Sequence, residues 1–154
     1  MRAPSFLALL VLVVLAGCGG SGSPKGSKAA YDQGLQTVAK NMEDAVAGAG
    51  LFGTTANYRA AAKAFRDAAD RLSRLQPPAN VAKDNRRLEA GLRFMAGREQ
   101  AILDAAARHD QNALEGLLRG LSERPEIQQA LAAIQDLQRE GYHSVAGVFT
   151  FGSG

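Results

Sequence analysis

Apolar residues recur every three or four positions from residue 29 onward, the period of a helix buried along one face. The first such stripe is Tyr31, Leu35, Val38, Met42 and Val46. Glycines between residues 48 and 53 interrupt it, and Thr54 or Thr55 is expected to cap the next helix. The second stripe is Tyr58, Ala62, Phe65, Ala69 and Leu72. Two amphipathic helices are therefore predicted in the first half of the folded part.

Prolines divide the second half in the same way. The Gln76-Pro77-Pro78 sequence ends the second helix, because proline cannot continue the hydrogen-bond ladder. A long helix is predicted over 78–109, with inward residues Val81, Leu88, Leu92, Met95, Ile102 and Ala106. Asp110 is expected to cap a short segment containing Leu114, Leu117, Leu118 and Leu121. The segment around Pro125 restarts a helix with Ile127, Leu131, Ile134 and Leu137 inward.

The C-terminal segment has a different pattern. Residues 142–151, YHSVAGVFTF, are rich in valine and aromatic residues, which favour extended chain. A single strand has no sheet to join, so an extended tail that buries Phe149 and Phe151 against the helices is predicted. The predicted fold of residues 29–154 is all-α, an antiparallel four-helix bundle with an extended C-terminal tail.

Composition agrees with one globular domain. The chain has 154 residues, of which 46% are hydrophobic and 21% charged, with a net charge of +3. Its only cysteine, Cys18, excludes an intrachain disulfide.

The N-terminus has the layout of an export signal. Arg2 supplies positive charge, and residues 6–16 form an apolar run of eleven residues. A membrane span needs about 20 apolar residues, whereas this length is typical of a signal-peptide core. Residues 1–17 are therefore predicted to be a signal peptide.

The end of this signal resembles the lipobox of bacterial lipoproteins, with the sequence Leu15-Ala16-Gly17-Cys18. The resemblance implies cleavage between Gly17 and Cys18 and attachment of a diacylglycerol to the cysteine sulfur. A thiolate is a suitable nucleophile for this modification, and two or more acyl chains give lasting membrane attachment. The alternative is an ordinary signal peptide followed by a free cysteine.

Residues 18–28 combine the lipidated cysteine with a Gly/Ser-rich linker that behaves as flexible coil. The expected location is the extracytoplasmic face of a cell membrane. Gly19 follows the cysteine, where an aspartate would resemble a retention signal of Gram-negative cells. The outer membrane is therefore a possible location if the host is Gram-negative.

Positive charge is concentrated in the second and third predicted helices. Ten basic and four acidic residues lie between Arg59 and Arg98, a net +6, which leaves the rest of the mature chain at −4. One interpretation is contact with anionic lipid or an anionic envelope polymer through Arg59, Lys63, Arg66, Arg86 and Arg87.

The other interpretation, which we favour, is a solvated surface with internal ion pairs. The pairs at helical spacing are Lys63–Asp67, Arg66–Asp70, Asp67–Arg71, Asp70–Arg74 and Glu89–Arg93. Nucleic acid is not expected as a partner, because the basic stripe has no interleaved aromatic residues.

Catalytic and metal-binding patterns are weak. His109 and His143 have no second ligand at helical spacing, and no nucleophile motif or phosphate-binding glycine loop occurs. Acidic pairs such as Glu123/Glu126 are flanked by helix-surface positions and are interpreted as solvated surface charge. We expect no cofactor, no metal and no enzymatic activity.

Residues 72–82 carry a second resemblance. Leu72-Ser-Arg-Leu75-Gln-Pro77-Pro78-Ala79, followed by Asn80-Val81-Ala82, resembles a helical hairpin of small uncharacterised lipoproteins of high-GC bacteria, over roughly residues 55–105. It implies an all-helical fold and an envelope location, and no activity. The sequence thus predicts a membrane-anchored binding or interaction module, whose partner would be an envelope protein, an envelope polymer or a small apolar ligand held between helices. A structural spacer is the alternative, and an enzyme is the least favoured option.

Overall fold

The all-α class is confirmed. The computed structural model describes residues 26–49 and 54–148, which are 86% helical with 3₁₀ turns included and contain no strand. The α-helices are α1 (Lys28–Ala49), α2 (Thr55–Arg74), α3 (Ala82–Ala107), α4 (Gln111–Leu118) and α5 (Pro125–Arg139). Shorter 3₁₀ helices cover Ala79–Val81, Leu121–Glu123 and His143–Val148. The antiparallel arrangement of four helices stays a prediction.

The predicted stripes form the core. Tyr31, Leu35, Val38 and Met42 of α1 are buried, while the side chain of Val46 lies outside the described part. The core members from α2 are Ala62, Phe65, Ala69 and Leu72, and those from α3 include Leu88, Leu92, Met95 and Ile102. Each helix therefore buries one face against its neighbours, as the spacing predicts.

Leu131, a member of the predicted apolar stripe of the last helix, is 42% exposed, and Leu118 of the short segment is 56% exposed. In α5 the buried face is centred on Ile127, Ala130 and Leu137 instead. At 100° per residue Leu131 lies on the edge of that face, whereas the small Ala130 lies within it and is fully buried. Tyr58 and Ala106 are half-buried, at the ends of their helices.

Side-chain caps fix most helix starts. Thr54 Oγ1 accepts a hydrogen bond from Asn57 N at 3.3 Å, and Asp110 Oδ1 accepts one from Ala113 N at 3.0 Å. Ser27 Oγ accepts from Ala30 N at 3.2 Å, so helical structure begins at Lys28. These bonds satisfy amide groups that have no partner inside a helix.

The long helix is shorter than predicted. The segment after Pro78 is a 3₁₀ turn, Ala79–Val81, and α3 ends at Ala107. His109 then adopts a left-handed conformation with φ 55°, and Asp110 N donates to Ala105 O at 3.0 Å. This closing pattern usually has glycine at the left-handed position.

The predicted extended tail is wrong where the structure describes it. Gly141, with φ 86°, ends α5, and His143–Val148 then form a 3₁₀ helix. Val145 is fully buried, and the segment packs against α1 and α5. A lone extended segment would leave backbone groups unpaired, whereas a 3₁₀ turn pairs them locally. Phe149 and Phe151 lie outside the described residues.

Candidate functional site

The predicted lipidation site, Gly17 and Cys18, lies outside the described residues, as do the signal peptide and most of the linker. The predicted basic surface is described in full. Arg59, Lys63 and Arg66 are exposed on α2, and their spacing of four and three residues places them on one face.

The remaining two predicted contacts differ from each other. Arg86 is exposed on α3, whereas Arg87 is half-buried. Arg87 Nη1 lies 3.2 Å from Asp84 Oδ1 and 3.8 Å from Asp136 Oδ2, so this side chain joins α3 to α5. Its charge is balanced inside the fold, which leaves Arg59, Lys63, Arg66 and Arg86 as the exposed basic surface.

The predicted ion pairs form only in part. Lys63 pairs with Asp67, and Arg93 Nε lies 2.9 Å from Glu89 Oε1. Asp70 contacts Arg93 Nη1 of α3 at 3.1 Å. Among the described residues, Asp70 makes no ion pair with its predicted partners on α2, Arg66 and Arg74. The predicted pair Asp67–Arg71 does not form in this part of the chain either. Packing of α3 on α2 brings in a partner that helical spacing cannot predict.

A buried polar cluster joins the ends of three helices. The Tyr31 hydroxyl donates to Asn85 Oδ1 at 2.9 Å, and Asn85 Nδ2 donates to the Leu72 carbonyl at 3.3 Å. Tyr142 packs edge-on against the Tyr31 ring, with centroids 5.3 Å apart. Burial raises the pKa of Tyr31 above its ordinary value, and the nearby Tyr142 and Asp84 add to the effect. A neutral hydroxyl that donates a hydrogen bond serves packing rather than proton transfer.

A second buried polar group lies on α3. Glu99 is 6% exposed, and its Oε1 accepts a hydrogen bond from Arg98 Nη1 at 2.8 Å. Burial raises the pKa of Glu99, and the charge and hydrogen bond of Arg98 oppose that rise. Arg98 Nε also donates to the Leu117 carbonyl at 3.0 Å, near the C-terminal end of α4 where a cation is favoured.

The outer side of Arg98 faces an open cleft of about 320 Å³ between α3, α4 and the turn before α5. We call it the arginine cleft, and its lining residues are Arg93, Phe94, Gly97, Arg98, Ala101, Leu117, Arg119, Leu121 and Arg124. Four arginine side chains therefore line the cleft together with apolar residues, which we call its floor. A groove along α2 and α3, of about 400 Å³, continues from it and includes Arg66.

Sequence reasoning missed this cleft. Arg119 and Arg124 belong to the part of the chain outside 59–98, which has net negative charge, and Leu117 and Leu121 were placed only in a short helical segment. One local signal was present, since Gly97 interrupts a long helical stretch of good helix formers.

Another groove of about 320 Å³ runs along α4, between this helix, the start of α2 and the last turns of α3. Its apolar lining includes Tyr58, Ile102, Leu114 and the exposed Leu118. The described surface is thus open and apolar in two places.

Within the part of the chain that the structure describes, no group of three or more His, Cys, Asp or Glu residues is placed to hold a metal ion. His109 and His143 are both exposed. None of the described helices is long and apolar enough to cross a membrane.

Comparison with protein-family models, with curated proteins and with solved structures finds no match for this chain. What the protein does must therefore be inferred from its own residues.

Proposed function

We propose that this protein is a lipid-anchored, extracytoplasmic binding module without catalytic activity. The support for the anchor is the order of sequence features: a short apolar signal, the lipobox ending in Cys18, and a Gly/Ser-rich linker. Helix α1 begins at Lys28, ten residues after the cysteine. A flexible linker of that length spans about 16–19 Å, so the helical body would stand close to the membrane surface.

The observation that carries the binding role is the arginine cleft. A bundle that serves only as a spacer needs a closed core and polar outer faces, whereas this one leaves an apolar floor open to solvent. Ligand sites are typically concave and mostly apolar, with a few polar groups that orient the ligand. The cleft has this composition.

The alternative is a structural spacer of the envelope. It is favoured by the ion pairs that tie neighbouring helices, Arg93–Asp70 between α2 and α3 and Arg87–Asp136 between α3 and α5. These contacts stiffen the body and involve no ligand. Both functions share the anchor, and they differ in whether the cleft has an occupant.

Metabolic labelling with radioactive palmitate in the native host tests the anchor. We expect label on the wild-type chain, together with a mature mass that begins at residue 18, and no label on Cys18→Ala. Ser21→Ala, in the same linker, is the matched control and should be labelled normally. Equal labelling of Cys18→Ala and wild type would refute lipidation at this residue.

A further inference from the structure

We propose that the arginine cleft binds a small amphiphilic carboxylate, a single carboxylate group on a short alkyl chain. This inference rests on the proposed role as a binding module and is independent of the lipid anchor. It follows from the donor chemistry of the rim, the charge left unbalanced there, and the open floor at Gly97.

The polar side chains that line the cleft are all arginines. A guanidinium group offers five N–H donors and no acceptor, and no acidic or amide side chain is among the lining residues. A ligand head that must itself donate hydrogen bonds, such as a sugar or an amide, would find no side-chain acceptor. A head with acceptors only is complementary to this rim.

One of the four cleft arginines, Arg124, has no carboxylate partner among the described residues. Arg93 is paired with Glu89 and Asp70, Arg98 with Glu99, and Arg119 with Glu115 at 2.7 Å. One uncompensated guanidinium matches a monoanion, and its planar fork fits a carboxylate in bidentate geometry. A phosphate monoester, which carries nearly two charges, would be less well balanced.

The floor of the cleft is apolar and small. Phe94, Leu117 and Leu121 provide apolar walls, while Gly97 and Ala101 lie one turn apart on α3. A methyl group placed at Gly97 would meet no described atom within 4 Å beyond its own helix backbone. Glycine is a poor helix former, so α3 gives up local stability where the fold has room for a side chain. No side chain at this position obstructs the approach of a ligand to the cleft.

Size limits the ligand further. The volume of about 320 Å³ is at the lower end of the range of roughly 300–1,000 Å³ for ligand sites. A ligand with one short alkyl chain suits a volume of this size. The ligand we assign is therefore a fatty-acid-like molecule of short chain length.

Equilibrium dialysis of the full chain tests this assignment. The protein is held in nanodiscs of zwitterionic phosphatidylcholine, and binding of radiolabelled octanoate is measured after subtraction of empty nanodiscs. Octanamide, which has the same shape but no charge, and octyl phosphate are run in parallel. We expect saturable binding of one octanoate per chain, with octanamide at least tenfold weaker and octyl phosphate weaker than octanoate.

Paired variants locate the binding. Gly97→Leu fills the floor and should weaken octanoate binding at least tenfold. Gly116→Leu is its control, because Gly116 is exposed on α4 outside the cleft and also has open space around it. Arg124→Gln should weaken binding about tenfold, whereas Arg71→Gln, which changes an exposed arginine on α2 outside the cleft, should leave it unchanged. Circular dichroism of each variant confirms that the helices are retained.

The proposal is overturned by any of three results. These are the lack of saturable octanoate binding, octanamide or octyl phosphate binding as tightly as octanoate, and full binding by Gly97→Leu. The outcome does not depend on lipidation, because the cleft lies in the helical body and a chain without an anchor is dialysed in free solution in the same way. A failure of octanoate binding does not affect the conclusion from palmitate labelling, and a failure of palmitate labelling does not affect the conclusion from octanoate binding.

Discussion

Replacement of Tyr31 by phenylalanine removes one hydroxyl from the buried polar cluster and should destabilise the protein measurably. Tyr31 is 1% exposed and Asn85 is 5% exposed, so water cannot readily replace the lost bond. The ring remains in its T-shaped contact with Tyr142, so no large cavity forms. Asn85 Oδ1 then loses the hydrogen bond that it accepts from Tyr31.

The expected cost is about 1–3 kcal/mol, the range for a buried polar atom left without a partner. In a domain of this size each kcal/mol shifts the Tm by roughly 3–5 °C. Tyr142→Phe is the matched control, because the Tyr142 hydroxyl makes no hydrogen bond to any described residue. Urea and thermal unfolding followed by circular dichroism measure both variants, and equal effects of the two would refute the role of the Tyr31–Asn85 bond.

The same cluster predicts a loss of stability at alkaline pH. The pKa of Tyr31 is raised above its ordinary value of 10.0, chiefly by burial, so the native state keeps the hydroxyl proton while the unfolded chain releases it. Stability should therefore decline as the pH rises above about 10. Tyr31→Phe should show a shallower decline than wild type in urea unfolding between pH 9 and about 11, because it lacks this group. Parallel slopes for the two proteins would contradict the assignment.

Three further predictions concern helix ends, the buried carboxyl and the basic surface. Gly141 and His109 both have left-handed backbone conformations, which glycine adopts more easily than other residues. Urea unfolding should therefore show that Gly141→Ala lowers the free energy of unfolding by about 1–2 kcal/mol and that His109→Gly raises it by about 1 kcal/mol. Effects of the same sign would contradict this. Carbon-13 NMR titration should give Glu99 a pKa above 4.5, and Arg98→Met should raise that pKa further. Because the folded state then binds this proton more tightly than the unfolded chain, stability should decline as the pH rises through that range. A pKa at or below 4.5 would exclude the effect of burial. The unlipidated chain should bind anionic vesicles only weakly, at about 1 kcal/mol per exposed cation, and the binding should weaken as the salt concentration rises. Tight binding in high salt would show that the contact does not depend on the charges of the exposed basic surface.

Helix existence and the core could be predicted from residue spacing alone. The buried face of α1 follows from apolar residues at intervals of three and four, and the starts of α2 and α4 follow from the side chains of Thr54 and Asp110. These features depend on contacts within one or two helical turns, and such contacts are encoded at fixed sequence intervals. The lipobox is local in the same sense, and its assignment to Cys18 stays a prediction.

The arginine cleft and the actual partners of the charged residues were decided by the tertiary structure. Asp70 pairs with Arg93 rather than with a neighbour on α2, and Arg119 and Arg124 reach the same cleft as Arg98 from other elements. The exposure of Leu131 was decided in the same way, because which residues of the apolar face of α5 are covered depends on how that helix packs against its neighbours. Local spacing fixes which face of a helix is apolar, whereas the packing of separate helices fixes what that face meets and where the surface stays open.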